Sequence, residues 1–532
     1  MERFDYVIVG AGSAGCVLAA RLSENPQTRV LLLEAGGSDR RMDVQIPLAV
    51  SKLWPNPDLT WGFLSEPEAE LDGRCLPVAR GRMLGGTSSL NGMMAIRGHA
   101  ADYDGWRDMG LPGWGWDDVL PWFRRLESHW RGDTPQHGGS GPLSVQAHPA
   151  PSPLYDHAVQ AARAMGFPIT QDFNGERTDG FGMPDFTIRD GRRHSTADAY
   201  LRPAMGRPNL EVRTGALATR ILMTDGRATG IAYRQHGAEH TVQAAREVVL
   251  AGGAINSPQL LMLSGIGPGA HLADMGVAVQ VDSPDVGAHL QDHPGAGMEF
   301  DLAPHLAFEN QLRLDRLLGW AMRWFARKNS ILGAPPLGIS ANVASLPGNP
   351  QVDLHFLLVP LAMESRVWMP PFVRPFGARM GAMWSLNYPK SRGRLSLRNA
   401  DPAAHPRIAF NLLSHPDDRA AMVHGCRTLL RLLEQPALAQ VVGPMRRPHG
   451  PLNSDAAILA HVRATGATAY HPSGTCRMGG DAGSVVDGQL RVRGVDGLRV
   501  ADASVFPCLP GGNTNLPVIM VAERAADFLN KG

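Results

Sequence analysis

The chain has 532 residues, too many for one simple core, and its 44% hydrophobic and 19% charged residues are those of an ordinary globular protein. A formal charge of +1, with acids and bases spread evenly, supplies no concentrated basic face and argues against nucleic-acid or polyanion binding. Five scattered cysteines (Cys16, Cys75, Cys426, Cys476, Cys508) have no paired spacing; this disfavours a disulfide framework or zinc site and suggests a reducing, cytoplasmic setting.

The pattern enters a strand at Phe4, which leaves no room for a secretory leader. Phe4 to Val9 becomes continuously apolar, as a buried parallel strand does, and Cys16 to Leu22 has helical spacing. Arg29 to Leu33 reads as a second buried strand that ends at Glu34. Residues 54–115, rich in Gly, Pro and Trp, read as extended loops, and Asp117 to Glu127 as a helix. Three strands are expected over Leu210 to Leu222, Arg227 to Tyr233 and His240 to Leu250. Val248 to Ala270 carries no charge and is long enough to cross a bilayer, but Gly252, Gly253 and Pro258 would leave backbone groups unpaired in lipid. A buried strand, tight turn and short helix is the better reading. Further on, strands are expected at Val352 to Val359, Arg394 to Leu397 and Leu498 to Ala501, and helices at Asp417 to Leu433 and Val518 to Leu529.

Between the first strand and helix lies Gly10-Ala11-Gly12-Ser13-Ala14-Gly15, a dinucleotide fingerprint, with Glu34 nineteen residues beyond Gly15. Gly10 allows the tight turn, Gly12 the approach of a pyrophosphate, and Gly15 close packing of helix on strand. The helix N-terminus offers free N–H groups to phosphate, and Glu34 accepts from adenosine ribose hydroxyls. The fingerprint alone does not separate FAD from NAD.

Two long stretches decide between them. Gly81 to Met93 (GRMLGGTSSLNGM) is glycine-rich, as a surface under a flat ring must be, and Gly253 to Gly267 reads GAINSPQLLMLSGIG. With Val286 to His293 (VGAHLQDH), His471 to Thr475 (HPSGT) and Gly497 to Ser504 (GLRVADAS), they closely resemble the signatures of the glucose–methanol–choline (GMC) oxidoreductase family. The resemblance runs the whole chain in order. Within the family it is most similar to bacterial choline-dehydrogenase-like alcohol dehydrogenases and hydroxymethylfurfural or aryl-alcohol oxidases.

The resemblance implies a Rossmann-like α/β FAD-binding domain built from segments 1–155, 209–300 and 463–532. An α+β substrate domain with an antiparallel sheet is expected from 156–208 and 301–462. It implies that Asn91, Gly92 and Met93 lie against the flavin, Ala218 near the adenine, and Asp502 and Ala503 by the ribityl and pyrophosphate groups. Trp61 is implied beside the cofactor, and Ser13, Ala14, Ala35, Arg82, Gly85, Gly86, Met94, Ala251, Gly252, Tyr470 and Pro517 complete the expected binding set.

Of the nineteen histidines, His471 matches the family's base, and Pro472 holds its neighbourhood extended. The family pairs this histidine with His or Asn some forty residues later. Register against Pro517 selects Asn515, with Asn513 as the alternative. Neutral His471 would take the hydroxyl proton of a primary alcohol while the asparagine holds the oxygen, so that the carbon gives hydride to flavin N5. His289 and His293 are read as structural, and His355 as either pocket or core. No metal-ligand spacing is found.

Where some relatives attach FAD through a histidine, this chain has Leu90, so non-covalent FAD is expected. Gly92 lacks the hydroxyl that some choline-oxidising relatives carry, and the 300–460 segment has few acids but several Trp and Met residues. An uncharged apolar or aromatic alcohol is therefore expected, with oxygen or a quinone as electron acceptor and no integral membrane segment, though a quinone-linked enzyme could sit peripherally on a membrane. Two other readings stay open: a non-redox lyase on the same fold, and a choline-type dehydrogenase.

Overall fold

The computed structural model describes residues 2–149, 152–327, 329–345 and 352–531. The Glu2–Val9 and Val30–Leu33 strands pair in parallel, and the Ser13–Leu22 helix joins them, as the opening pattern requires. Leu210–Arg213 adds outside Val30–Leu33, and Ala238–Leu250 pairs in parallel with Glu2–Val9 on the other side. Leu250 is followed by the turn that opens the Gly253–Leu263 helix, and Leu498–Val500 also pairs with the end of that long strand. The sheet is finished by Arg227–Gln235 and Ala216–Thr224, both antiparallel.

The expected single strand over Leu210 to Leu222 is two strands. Gly215 takes φ +65° and its amide donates to the Gly36 carbonyl at 2.8 Å, so the chain turns there and its two halves pair with different neighbours. Val248 to Ala270 is a buried strand end, turn and helix. No helix among the described residues is long and apolar enough to cross a membrane. Pro258 stands inside the Gly253–Leu263 helix, where it cannot bond to the Ala254 carbonyl. Thr475 Oγ1 donates to that carbonyl instead, at 2.6 Å, which ties the helix to the segment carrying His471.

The second sheet is antiparallel, in the order Val442–Arg447, Pro294–Leu302, Arg379–Leu386, Leu354–Val359, Ile339–Val343, Gly180–Gly182. Pro294–Leu302 belongs wholly to it, so the change from one sheet to the other comes before residue 300. Ala467–Thr468 pairs with the start of Pro294–Leu302, which brings the residues around His471 and His293 together.

A Cβ at Gly15 would lie 1.8 Å from the Gly10 carbonyl oxygen. Gly15→Ala therefore forces the first helix off the sheet. It is expected to cost about 3 kcal/mol or more and to lower the thermal midpoint by several degrees; an unchanged midpoint would show that the helix has room.

Candidate active site

A cavity of about 760 Å³ runs between the two sheets. At one end it meets the first helix. Gly10 makes the turn with φ +99°, and Gly12, Ser13 and Ala14 line the cavity with first-turn amides that have no helical acceptor. Ala35, Gly86, Ala218, Ala251 and Gly252 also line this half. Gly86 packs so closely on Gly12 that a Cβ there would come within 2.7 Å of the Gly12 Cα.

Other expected binding residues stand behind this surface. Gly15 packs helix on strand, and the Gly85 amide donates to the Ala11 carbonyl at 2.8 Å. Glu34 is buried away from the cavity lining. Its carboxylate accepts from the Ala11 and Gly36 amides, each at 2.8 Å, and burial raises its pKa to about 7. Arg82 lies over the outer face of the Trp61 ring, 5.0 Å from its centre, while Trp61 itself lines the cavity. Pro517 is buried in the first turn of the final helix and Val518 takes the lining position.

In the middle, Asn91, Gly92, Met93 and Met94 form one wall, and a Cβ at Gly92 would meet nothing within 4 Å. Nothing in the sequence around Arg193 marks it as a site residue. Its buried guanidinium donates to the Asn91 carbonyl at 2.7 Å and to Asn91 Oδ1 at 2.9 Å, which pins this loop. Ala503 lines the opposite side beside Asp502, whose carboxylate accepts from the Gly253 amide at 2.8 Å and Ser257 Oγ at 2.6 Å. These bonds hold the start of the Gly253–Leu263 helix against the cavity.

His471 also lines the cavity. Tyr470 before it has φ +64°, a left-handed conformation that a tyrosine adopts only when its surroundings impose it. The Arg80 guanidinium donates to the Tyr470 carbonyl at 2.6 Å, and the His471 amide donates to Asp292 Oδ1 at 2.9 Å. Together they fix the backbone that aims the imidazole.

The ring is held at both nitrogens. Asn513 Nδ2 lies 3.1 Å from Nε2, and His293 Nδ1 lies 3.0 Å from Nδ1. With the Asn513 amide nitrogen donating, Nε2 is the acceptor and the tautomer that fits carries its proton on Nδ1, toward His293. Burial, then the neighbouring His293, Arg80 and His355, keep the His471 pKa well below the ordinary value. His293 is pushed down to about 3 and His355 to about 4, in both cases first by burial. The centre is a neutral imidazole whose Nε2 lone pair faces the Asn513 amide.

Asn513, rather than Asn515, reaches His471. Asn515 Oδ1 accepts from Ser13 Oγ at 2.8 Å, because the final helix begins at Asn515 and turns its side chain toward the first helix. His293, expected to be structural, is the direct neighbour of His471. The Gln291-Asp292-His293 run carried that signal: Gln291 exchanges backbone hydrogen bonds with Ser473, and this register delivers both Asp292 and His293 to His471.

Beyond His471 the cavity is lined by Trp54, His355, Leu357, Met363, Met383 and Trp384, among others. Asp502, on the nucleotide side, is the only carboxylate among the described lining residues. The clustered acid and histidines elsewhere, Glu127, His129 and His137, are closed by their own partners: Arg97 lies 2.6 Å from Glu127, and Asp172 and Asp185 take the two rings.

A Rossmann-type cradle leading to a histidine–asparagine pair defines a flavoprotein oxidoreductase. Comparison with known proteins agrees. Sequence profiles of GMC oxidoreductases match residues 4–295 and 389–522. Oxygen-dependent choline dehydrogenase from Rhizobium johnstonii is 43% identical over 99% of this chain and 95% of its own length. The enzyme of that name from Photobacterium profundum is 42% identical over 99% and 93%. Among solved structures, pyridoxine 4-oxidase from Mesorbium loti superposes with a TM-score of 0.88 at 31% identity over 99% of both chains, and formate oxidase with 0.92 at 27% over 100% and 98%. The chain belongs to the GMC oxidoreductase family, whose members bind FAD and oxidise alcohols.

The residues present fit that cofactor. The free amides of the first helix and the glycine-lined wall at Gly92 offer an anion site and a flat surface along one continuous cavity.

Proposed function

We propose that the chain oxidises an uncharged primary alcohol, apolar or aromatic, to its aldehyde, with His471 as base and FAD held without a covalent bond. The observation that carries this is the bare Nε2 of a neutral His471, paired with Asn513, in a substrate half lined by Trp, Met and Leu and by no carboxylate. A quaternary ammonium would find no opposite charge there. FAD, when bound, supplies the hydride acceptor.

The protein's part is to hold the alcohol and take its proton. The hydroxyl enters between His471 Nε2 and Asn513 Nδ2, donating to the first and accepting from the second. Proton transfer to Nε2 gives an imidazolium whose Nδ1–H already bonds to His293, and the developing alkoxide stays on the Asn513 amide. The FAD-binding and substrate segments follow the two sheets, with the boundary near 294.

A choline-type reading has one observation in its favour, the 43% identity to a protein named for that substrate. Anaerobic mixing with benzylic alcohols, furanic alcohols and choline separates the two. Bleaching of the flavin by the aromatic alcohols alone supports the proposal, whereas bleaching by choline alone refutes the substrate assignment. Bleaching by none, with dithionite effective, refutes alcohol oxidation and leaves a non-redox lyase as the better reading. Rapid recovery in air marks an oxidase; recovery only with a quinone marks a dehydrogenase.

The wall from Gly86 to Met94 contains no histidine, cysteine or tyrosine, and Leu90 is buried in it. Acid precipitation should therefore leave the yellow colour in the supernatant. Colour remaining in the pellet would mean a covalent link.

A further inference from the structure

Exposed large apolar side chains are not scattered over this molecule. More than half of those among the described residues fall in two segments, the Leu314–Phe325 helix and residues 363–373. On the helix, Leu318, Met322 and Phe325 are 58%, 70% and 57% exposed, and their spacing of four and three puts them on one face. The opposite side is anchored: Trp324 is buried and its Nε1 donates to the Gly191 carbonyl at 2.7 Å. In the second segment Phe372 is 79% exposed, beside Val367 and Met369.

The two segments form one platform. The Leu314 amide donates to the Trp368 carbonyl at 2.9 Å, the Trp368 amide to Leu312 at 3.2 Å, and Trp368 Nε1 to the Glu309 carbonyl at 2.9 Å. The Phe376 amide donates to the buried Glu309 carboxylate at 2.8 Å. A contiguous apolar patch of this kind on a folded chain marks a surface that is meant to be covered.

Its rim says by what. Arg316, Arg323, Arg327, Arg366 and Arg374 are all exposed, and none forms an ion pair among the described residues. The nearby acids are engaged elsewhere: Asp315 with Arg313, Glu364 with Arg447, and Glu309 with backbone. Apolar side chains projecting through a ring of unbalanced arginines have the chemistry of an interfacial amphipathic surface on anionic lipid. A second copy of the chain would bring arginine against arginine across the same patch.

We infer that this platform docks the protein peripherally on an anionic lipid bilayer, with the cavity mouth turned toward the membrane. Met363 joins the two features, since it is 67% exposed and also lines the cavity. Leu318, Met322 and Phe372 enter the acyl boundary while the arginines lie at the phosphates. Apolar molecules dissolved in the bilayer then reach the cavity without crossing bulk water.

Co-sedimentation of the flavin-loaded protein with vesicles tests this. The protein should pellet with phosphatidylcholine vesicles containing about a third phosphatidylglycerol, stay in solution with phosphatidylcholine alone, and lose binding as salt rises. The variant Leu318→Ser/Met322→Ser/Phe372→Ser should lower the partition by at least about tenfold. The variant Arg323→Glu/Arg327→Glu should do the same, since each arginine contributes roughly fivefold near such a surface. Both variants should keep the flavin spectrum and melting temperature of the parent. Absence of binding to the anionic vesicles, or equal binding by both variants, overturns the inference. So does light scattering that finds a parent dimer which the serine variant turns into a monomer, because the platform would then cover a second copy. Partition is read without turnover, so failure here leaves the alcohol-oxidation proposal standing.

Discussion

His471→Ala is expected to slow flavin reduction by alcohol by about 10²- to 10⁴-fold, the range that positioned bases contribute, while the purified variant stays yellow. The two readouts separate because the His471 ring bonds to Asn513 and His293 and holds none of the cofactor cradle at Gly12, Ser13 and Ala14. The pH profile provides an independent check. A base works unprotonated, so the rate rises with pH through its pKa and is level above it. Burial first, with the Arg80 guanidinium nearby, depresses that pKa, which moves the rising limb below the ordinary imidazole range. The parent should therefore be at its plateau by neutral pH, and the limb should vanish in the alanine variant. Loss of FAD in step with activity would make His471 a cofactor residue instead.

The second large effect is a contrast between two asparagines. Asn513→Ala removes the donor that faces Nε2 and is expected to lower kcat by about 10²-fold, as loss of one oxyanion donor does elsewhere. Asn515→Ala breaks the bond from Ser13 and should weaken FAD retention while a saturated enzyme turns over near the parent rate. The reverse result, with Asn515→Ala slow and Asn513→Ala normal, would restore the assignment read from register against Pro517. His293 belongs to the same experiment as a positioning residue. His293→Ala leaves the Nδ1 proton of His471 without its acceptor and should move the acid limb, whereas a purely structural role would change stability and leave the limb in place.

These assignments show where sequence reasoning has purchase. The opening strand, turn and helix are local, fixed by apolar runs and by glycines whose neighbours are within a few residues, and they read correctly. Val248 to Ala270 also reads correctly, since the energetic objection to Pro258 and paired glycines in lipid needs no tertiary knowledge. Which of two asparagines two positions apart meets His471 depends on where the last helix begins, and the structure turns Asn515 toward Ser13 and Asn513 toward the imidazole. That helix begins at Asn515 and packs against the first helix, whose Ser13 bonds to the Asn515 side chain. Arg193 and Arg80 were missed for a related reason: each acts on a backbone carbonyl of a distant loop, and an arginine's sequence neighbours do not reveal which carbonyl it meets. His293 lies within the Val286 to His293 motif, but only the pairing of Gln291 with Ser473 shows that the motif faces the base.

The order of strands in the first sheet has a consequence for how the chain is made. Glu2–Val9 must wait for Ala238–Leu250, and that strand for Leu498–Val500. At about 5–20 residues per second of synthesis, the first buried strand stays without its main partner for roughly ten seconds or more. The sheet's last parallel partner and the His471–Asn513 pair emerge only after some five hundred residues have been made. Such non-local pairing folds slowly and leaves apolar edges open meanwhile. A chain interrupted before residue 498 would lack the strand that closes the sheet and the helix that packs on Ser13–Leu22, so nascent fragments of this protein are expected to depend on chaperones or be degraded rather than persist as half-enzymes.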